Sequence, residues 1–188
     1  MTGSGSDGRV MPGAGRLFDE LLVTMAQAGE RRAGERLAAR WQPRLLRTAR
    51  RLLRDDDQAR AAVQESWVAI WRGLGGLQDP ARFPPWAFAI LHRRCADAIR
   101  GAQRHRDRLG EAEAEPEAHD GPPGEALAIR QAFALLPPDQ RLAAQLYFVE
   151  GFSLAEIAEA QGVAEGTAKS RLFHARRKLR AALEGEHR

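Results

Sequence analysis

Fifteen consecutive residues constrain the architecture more than any others. From Gly110 to Gly124 the chain reads GEAEAEPEAHDGPPG. The stretch has no large apolar side chain and is rich in glutamate, proline and glycine, so it has nothing with which to build a core. It predicts a flexible acidic linker and obliges the chain on either side to bury its own apolar surface. The expected organisation is a disordered tail over residues 1–15, a compact unit over 16–109, the linker over 110–124 and a second unit over 125–185.

The first unit reads as helix throughout. Phe18, Leu21, Leu22 and Met25 recur at helical spacing, and Leu37, Trp41, Leu45 and Leu52 continue in a second segment. Pro43 falls inside that second pattern and predicts either a kink or a new first turn. A third stretch, DDDQARAAVQESWVAIWRGL, places Val63, Trp67, Ile70, Trp71 and Leu74 on one stripe, with Asp55 to Asp57 suited to the positive end of a helix dipole. The loop GGLQDPARFPP leads to a fourth helix that opens near Pro84 or Pro85, residues favoured in a first turn, and runs through WAFAILHRRCADAIRGAQRHR. No alternating run suggests a strand, so the expected fold class is all-α.

The second unit ends in a recognisable pattern. EALAIRQAFALL is a helix stopped by Pro137-Pro138, and PDQRLAAQLYFVEG is another, closed by Gly151. Ser153 and Glu156 have the spacing of a capping box, in which each side chain takes up a free backbone N–H. A short helix follows with Leu154, Ile157 and Ala158 facing inward, then a turn at Gly162, then a longer cationic helix. That order predicts a helix-turn-helix. On a helical wheel Ala168, Leu172, Ala175 and Leu179 share the packed face. Gly166, Ser170, Phe173 and Arg177 lie opposite, flanked by Lys169, Arg171, His174 and Arg176. A major groove accepts one such helix. Lys169, Ser170, Phe173 and His174 are therefore expected at base edges, and Arg171, Arg176 and Arg177 at phosphates. For any single arginine a solvated bundle face explains as much; the joint pattern is what points to DNA.

Composition narrows the partner. From Arg16 to Leu109 there are nineteen basic against eleven acidic residues, and a basic domain commonly faces a polyanion. Of the 29 basic residues 27 are arginine, so arginine bias alone accounts for part of this. The single cysteine, Cys95, excludes an intramolecular disulfide and is expected as a small buried hydrophobe. No Cys/His cluster has zinc spacing, and no Gly-rich phosphate loop or Ser/His/Asp grouping stands out. The expectation is no metal, no cofactor, no small-molecule substrate and no enzymatic activity. No apolar run reaches the length of a membrane span, and the start has no apolar core like that of a signal peptide. A cytoplasmic protein without membrane insertion is expected.

With these residues in view, LPPDQRLAAQLYFVEGFSLAEIAEAQGVAEGTAKSRLFHARRKLRAAL resembles the promoter-recognition domain of extracytoplasmic-function (ECF) sigma factors of bacterial RNA polymerase. VQESWVAIWRGL followed by PPWAFAILHRRCADAIRGAQR resembles the other domain of that family, and the resemblance runs from about Arg16 to Leu183. It implies core RNA polymerase and promoter DNA as partners. The first unit would read the −10 element and help open the duplex, and the second would read the −35 element. It also implies that the acidic linker threads polymerase toward the nascent RNA path, with a plain spacer as the alternative. Family members are commonly held by an anti-sigma factor, so such a partner is an expectation too.

The first unit's residues suit those tasks. Opened DNA exposes bases that a pocket can trap by stacking. Arg82, Phe83 and Trp86 are candidates for that pocket, with core packing as the alternative for Phe83 and Trp86. His92, Arg93, Arg94, Arg100 and Arg104 would follow the strand. Trp67 and Trp71 are expected in the core, and Asp97 as a salt-bridge partner on its arginine-rich helix. The polymerase-facing set is Asp57, Arg60, Gln64 and Glu65. Here the chain departs from the family, which usually carries an acidic pair where Arg60 and Ala61 stand. A second departure is Arg93, where many members carry a polar amide. Two other readings stay open: a sigma-like module that binds polymerase or a regulator without initiating, and an ordinary helix-turn-helix repressor.

Overall fold

A computed structural model describes residues 13–53, 55–109 and 125–185. The expected linker, and the tail up to residue 12, lie outside the described residues. Among the described residues there are eight α-helices and no strand: α1 (Ala14–Gln27), α2 (Arg31–Leu53), α3 (Asp56–Gly73), α4 (Phe83–Leu109), α5 (Glu125–Ala134), α6 (Pro138–Phe148), α7 (Leu154–Gln161) and α8 (Glu165–Gly185).

The caps follow from the sequence. Asp55 accepts a hydrogen bond from the Gln58 N–H at 2.9 Å, and that bond holds its carboxyl below the ordinary value. Pro43 neither stops α2 nor starts a new helix; α2 runs through it from Arg31 to Leu53. An internal proline forfeits one backbone bond and strains the preceding turn. Trp41 and Leu45 on either side of it are both fully buried, and that burial offsets the loss.

The first unit packs α1 to α4 around Leu22, Val23, Leu37, Trp41, Leu45, Val63, Ile70, Phe83, Phe88 and Leu91, all at most 2 % exposed. Trp41 sets its edge against Phe83 at 5.3 Å and against Phe88 at 6.2 Å. Trp67 is in the core as expected, at 9 % exposed. Trp71 is not: it stacks on Trp67 at 5.3 Å but stands 42 % exposed. It lies over Gly34, where an added Cβ would come within 3.4 Å of its ring, so it rests on the rim of α2 and does not enter the core.

In the second unit Phe133, Leu136, Ala144, Ala175 and Leu179 form a small core among α5, α6 and α8. Arg141 is buried beneath it. Its guanidinium donates to the carbonyls of Phe133, Ala134 and Leu136 at 3.0, 3.0 and 2.8 Å, taking up the acceptors that the end of α5 leaves free.

The two units close on each other. α7 lies against α4, and α6 against α2. Phe152, between α6 and α7, meets Phe88 edge-on at 5.3 Å, and one apolar cluster runs continuously from α1 to α8 through this contact. Polar pairs surround it. Glu150, its side chain 1 % exposed, accepts from Arg44 at 2.7 Å and Arg47 at 3.0 Å. Arg16 pairs with Glu156, Arg51 donates to Gln145, and Arg141 reaches across to the Arg51 carbonyl at 3.1 Å. At the rim Arg82 meets Glu159 at 3.0 Å.

Candidate nucleic-acid interface

The helix-turn-helix is built as its residues dictate. At the start of α7 the Ser153 hydroxyl accepts from the Glu156 N–H at 3.3 Å, while the Glu156 carboxylate accepts from the Ser153 N–H at 2.8 Å. Burial pushes the Glu156 carboxyl up, but bonds from the Arg16 guanidinium and from Ser153 outweigh it and hold the group below its ordinary value. Gly162 ends the helix at φ +64°, a left-handed conformation that glycine adopts without steric cost. The turn delivers α8 with Ala168, Leu172, Ala175 and Leu179 inward and buried.

The opposite face of α8 is bare. Lys169, Ser170, Phe173 and Arg177 are all exposed there, Phe173 by 62 %. His174 is half-buried, edge-on to Phe173 at 5.5 Å. Two of the flanking arginines are occupied. Arg171 donates to Gln161 at 3.0 Å and pairs with Asp139 at 2.6 Å. Arg176 lies over the rings of Tyr147 and Phe148, at 4.6 and 5.6 Å from their centres. The free outer face is thus an aromatic among polar and cationic groups, with two further cations tied back into the unit.

The residues expected to handle the −10 element are dispersed. Phe83 is fully buried against Trp41, so in this structure it lines the core and no open pocket. Trp86 is half-buried, tilted on Phe83 at 6.1 Å and held close to Gly73. Along α4 Arg93 and Arg104 are exposed, Arg94 lies 4.0 Å from Glu65, and Arg100 pairs with Asp97 at 2.5 Å. Asp97 is therefore the salt-bridge partner expected. His92 is partly covered, its Nε2 3.9 Å from Asp139. Burial lowers its pKa, with Arg171 and Arg93 pushing the same way and Asp139 opposing them. Cys95 is buried as expected, and burial pushes its thiol up to about 12.

On α3 the side chains of Asp57, Arg60, Gln64 and Glu65 are all exposed. Arg60 turns back to Asp56 at 2.5 Å, and Arg50 reaches the same carboxylate, whose pKa both guanidinium bonds lower. Sequence reasoning did not single out Glu150, Gln145, Arg141 or Asp139, the polar residues that organise the seam.

Comparison with known proteins defines the class first. The Sigma-70 region 2 family matches residues 37–105, and the Sigma-70, region 4 family matches residues 126–179. ECF RNA polymerase sigma factor SigM of Mycobacterium tuberculosis (strain H37Rv) is 32% identical over 172 residues, covering 86% of this chain and 82% of SigM. RNA polymerase sigma factor CarQ of Myxococcus xanthus is 32% identical over 160 residues, covering 82% and 91%. Among solved structures, the sigma factor RpoE from Bartonella quintana, in complex with the anti-sigma factor NepR, superimposes with a TM-score of 0.70 at 27% identity, over 80% of this chain and 96% of that one. CnrH, in complex with the cytosolic domain of CnrY, gives 0.65 at 26% identity over 89% and 98%.

The chain belongs to the ECF RNA polymerase sigma factors. Such factors bind core RNA polymerase and promoter DNA and direct transcription initiation; they are initiation factors, not enzymes. No described helix is long and apolar enough to cross a membrane.

Proposed function

We propose that α8 reads the −35 element through Lys169, Ser170, Phe173 and His174, with Arg177 on the phosphate backbone. What supports this reading is the bare outer face of the helix, where Phe173 stands exposed among cations while the opposite face is packed. Arg171 and Arg176 have a second role, bracing α8 against α6 and α7, and contribute to DNA binding through that bracing. The test is binding of the holoenzyme to promoter variants: Phe173→Ala or Lys169→Ala relaxes sequence preference at −35, whereas unchanged promoter choice removes this helix face from the reading.

At the −10 element the cations of α4 follow the strand, Arg93 and Arg104 first because they are exposed, then Arg94, Arg100, His92 and Arg82 once their present partners release them. Trp86 is the stacking candidate at the rim; Phe83 acts from the core by holding Trp86 in place. Asp57, Gln64 and Glu65 on α3 face core polymerase. The unit boundaries lie at the segment 110–124, which tethers the two readers, and its carboxylates fit a basic channel in polymerase. The protein works in the cytoplasm, alongside polymerase and chromosome. An inhibitory protein partner of the anti-sigma kind fits the relatives solved as complexes with NepR and CnrY.

One observation favours a second reading, in which the chain binds polymerase without initiating. Arg60 stands where an acid is usual and draws Asp56 to itself, leaving α3 with less negative charge for a basic partner. Abortive transcription with purified core enzyme decides it: retention without short transcripts favours the second reading, and promoter-dependent transcripts dismiss it.

A further inference from the structure

The link between α3 and α4 delivers two of the residues assigned to the −10 strand, Arg82 and Trp86, and its middle has little of its own to hold it. Leu74–Gly76 is a single tight turn, closed by one backbone bond from the Leu77 N–H to the Leu74 carbonyl at 3.1 Å. Leu74 is buried and Leu77 half-buried against the core. Gly75 and Gly76 between them are exposed, and neither sits in the left-handed region. A Cβ added at either would meet open space, so neither conformation nor packing asks for glycine there. Two adjacent glycines give the turn more backbone freedom to lose than any other pair of residues would.

The ends of the link are fixed locally. At its root the Trp86 ring lies against Gly73, where an added Cβ would stand 3.0 Å from it. At its far end the Asp79 carboxylate accepts from the Ala81 N–H at 3.0 Å, and the Arg82 N–H donates to the Asp79 carbonyl at 3.0 Å, so the turn Pro80–Arg82 is capped. The middle is held from outside. Gln27, the last residue of α1, donates from Nε2 to the Leu74 carbonyl at 2.9 Å and to the Leu77 carbonyl at 2.8 Å. A side-chain amide has two N–H groups, and here one goes to each side of the glycine pair. Gln27 is itself anchored: α1 closes over Gly29 at φ +90°, with the Gly29 N–H donating to the Ala26 carbonyl and the Glu30 N–H to the Met25 carbonyl. The same helix lies against the Pro80–Arg82 turn, so α1 is the back wall of the whole link.

We infer that Gln27 is a positioning residue for −10 recognition: by clamping the carbonyls of Leu74 and Leu77 it sets the glycine turn, and through the turn the approach of Arg82 and Trp86 to the opened strand. This role rests on the −10 reading of those two residues given above. Gln27 acts through backbone order and makes no base contact of its own. A loop ordered before binding has less freedom to lose when it binds, so the clamp is felt as affinity and base discrimination at −10. It leaves −35 preference alone, because α8 belongs to the other unit.

The test uses the full chain assembled with purified core RNA polymerase. The probe is a promoter fragment recovered by genomic run-off transcription with the wild-type holoenzyme, in a forked form whose −10 strand is already unpaired, with each base of that strand replaced in turn. Gln27→Met removes both donors at nearly the same length. It is expected to lower affinity for the fork about ten-fold and to flatten discrimination among the −10 bases, while core polymerase binding and −35 preference stay as in wild type. Adding Gly75→Ala, which restrains the turn through its own backbone, is expected to recover about two- to three-fold of that loss; a general weakening of the fold would not be mended this way. Should Gln27→Met lose helix by circular dichroism, Gln27→Asn decides, since its amide is one methylene shorter and cannot bridge both carbonyls. Trp86→Ala separates the two claims. If it flattens −10 discrimination and the Gln27 variant does not, the positioning role is overturned and the −10 reading stands. Loss of −10 and −35 preference alike, or no recovery from Gly75→Ala, overturns the role as well. A Trp86→Ala holoenzyme that discriminates as wild type does removes the −10 reading, and the role of Gln27 falls with it.

Discussion

Helices α8 and α4 are both rich in cations, and the fold answers the outer face of α8 differently from most of the cations on α4. The outer face of α8 leaves Lys169 and Arg177 exposed beside Phe173, with no ion pair to either cation among the described residues. On α4, and in the turn before it, Arg82, Arg94, Arg100 and His92 face Glu159, Glu65, Asp97 and Asp139 in that order. The difference teaches that cation content is a poor guide to readiness. A face whose charges meet only water, like that of Lys169 and Arg177, offers them to DNA at once. A helix whose charges are already answered by carboxylates must exchange partners first, and the exchange sets a threshold that a competing polyanion or polymerase has to cross.

Substitutions can break or sharpen that contrast. The largest effect is expected on the packed side of α4. Phe88 touches both Trp41 and Phe152, so Phe88→Ala should cost about 3–5 kcal/mol in a urea titration; a loss below about 1 kcal/mol would mean that α4 is not anchored as described. Next comes the bare face of α8. Phe173→Ala or Lys169→Ala should cost on the order of 1–3 kcal/mol in discrimination at a contacted −35 base while leaving the thermal midpoint unchanged. A drop in midpoint instead would make that face structural and erase the contrast. Smaller still is the cap that aims α8: Ser153→Ala should lower stability by about 1 kcal/mol and let the Glu156 carboxyl drift up, visible as a shifted titration by NMR.

The smallest expected effect concerns His92. Its pKa in the closed chain lies below the ordinary 6.5, chiefly through burial, so an open or unfolded chain takes up the proton more readily. The stabilisation is therefore complete above the ordinary value and is lost as pH falls through the lowered one. Scattering as the pH falls from neutral should show the units loosening, and His92→Gln should flatten that dependence. A seam that tightens in acid would contradict the sign.

Much of this was legible in the sequence, and the reason is locality. Ala168, Leu172, Ala175 and Leu179 mark their face of α8 by spacing alone, and Ser153 with Glu156 declares the cap within four residues. The seam left no such trace. Glu150 reads as one more surface acid, because its partners Arg44 and Arg47 lie about a hundred residues earlier and nothing periodic connects them. Arg171 and Arg176 look free on a wheel that shows one helix at a time; Asp139 and Tyr147 belong to α6, beyond its view. Trp71 fits its stripe by spacing, yet α2 sets small residues beside it, Gly34 and Ala38, in an open groove, and a ring needs walls to be buried. Pro43 predicts a kink or a new first turn from local energetics; no new helix starts there, and the burial of Trp41 and Leu45 carries α2 through it.

Cys95 carries a consequence of its own. It is the single sulfhydryl in these 188 residues, it sits on the inward side of α4, and its thiolate is all but absent at neutral pH because burial raises its pKa to about 12. Thiol-directed oxidants and electrophiles find no accessible thiolate at Cys95 while the first unit stays folded. The same silence makes Cys95 a native reporter: the rate at which a maleimide reaches it measures how often the first unit breathes.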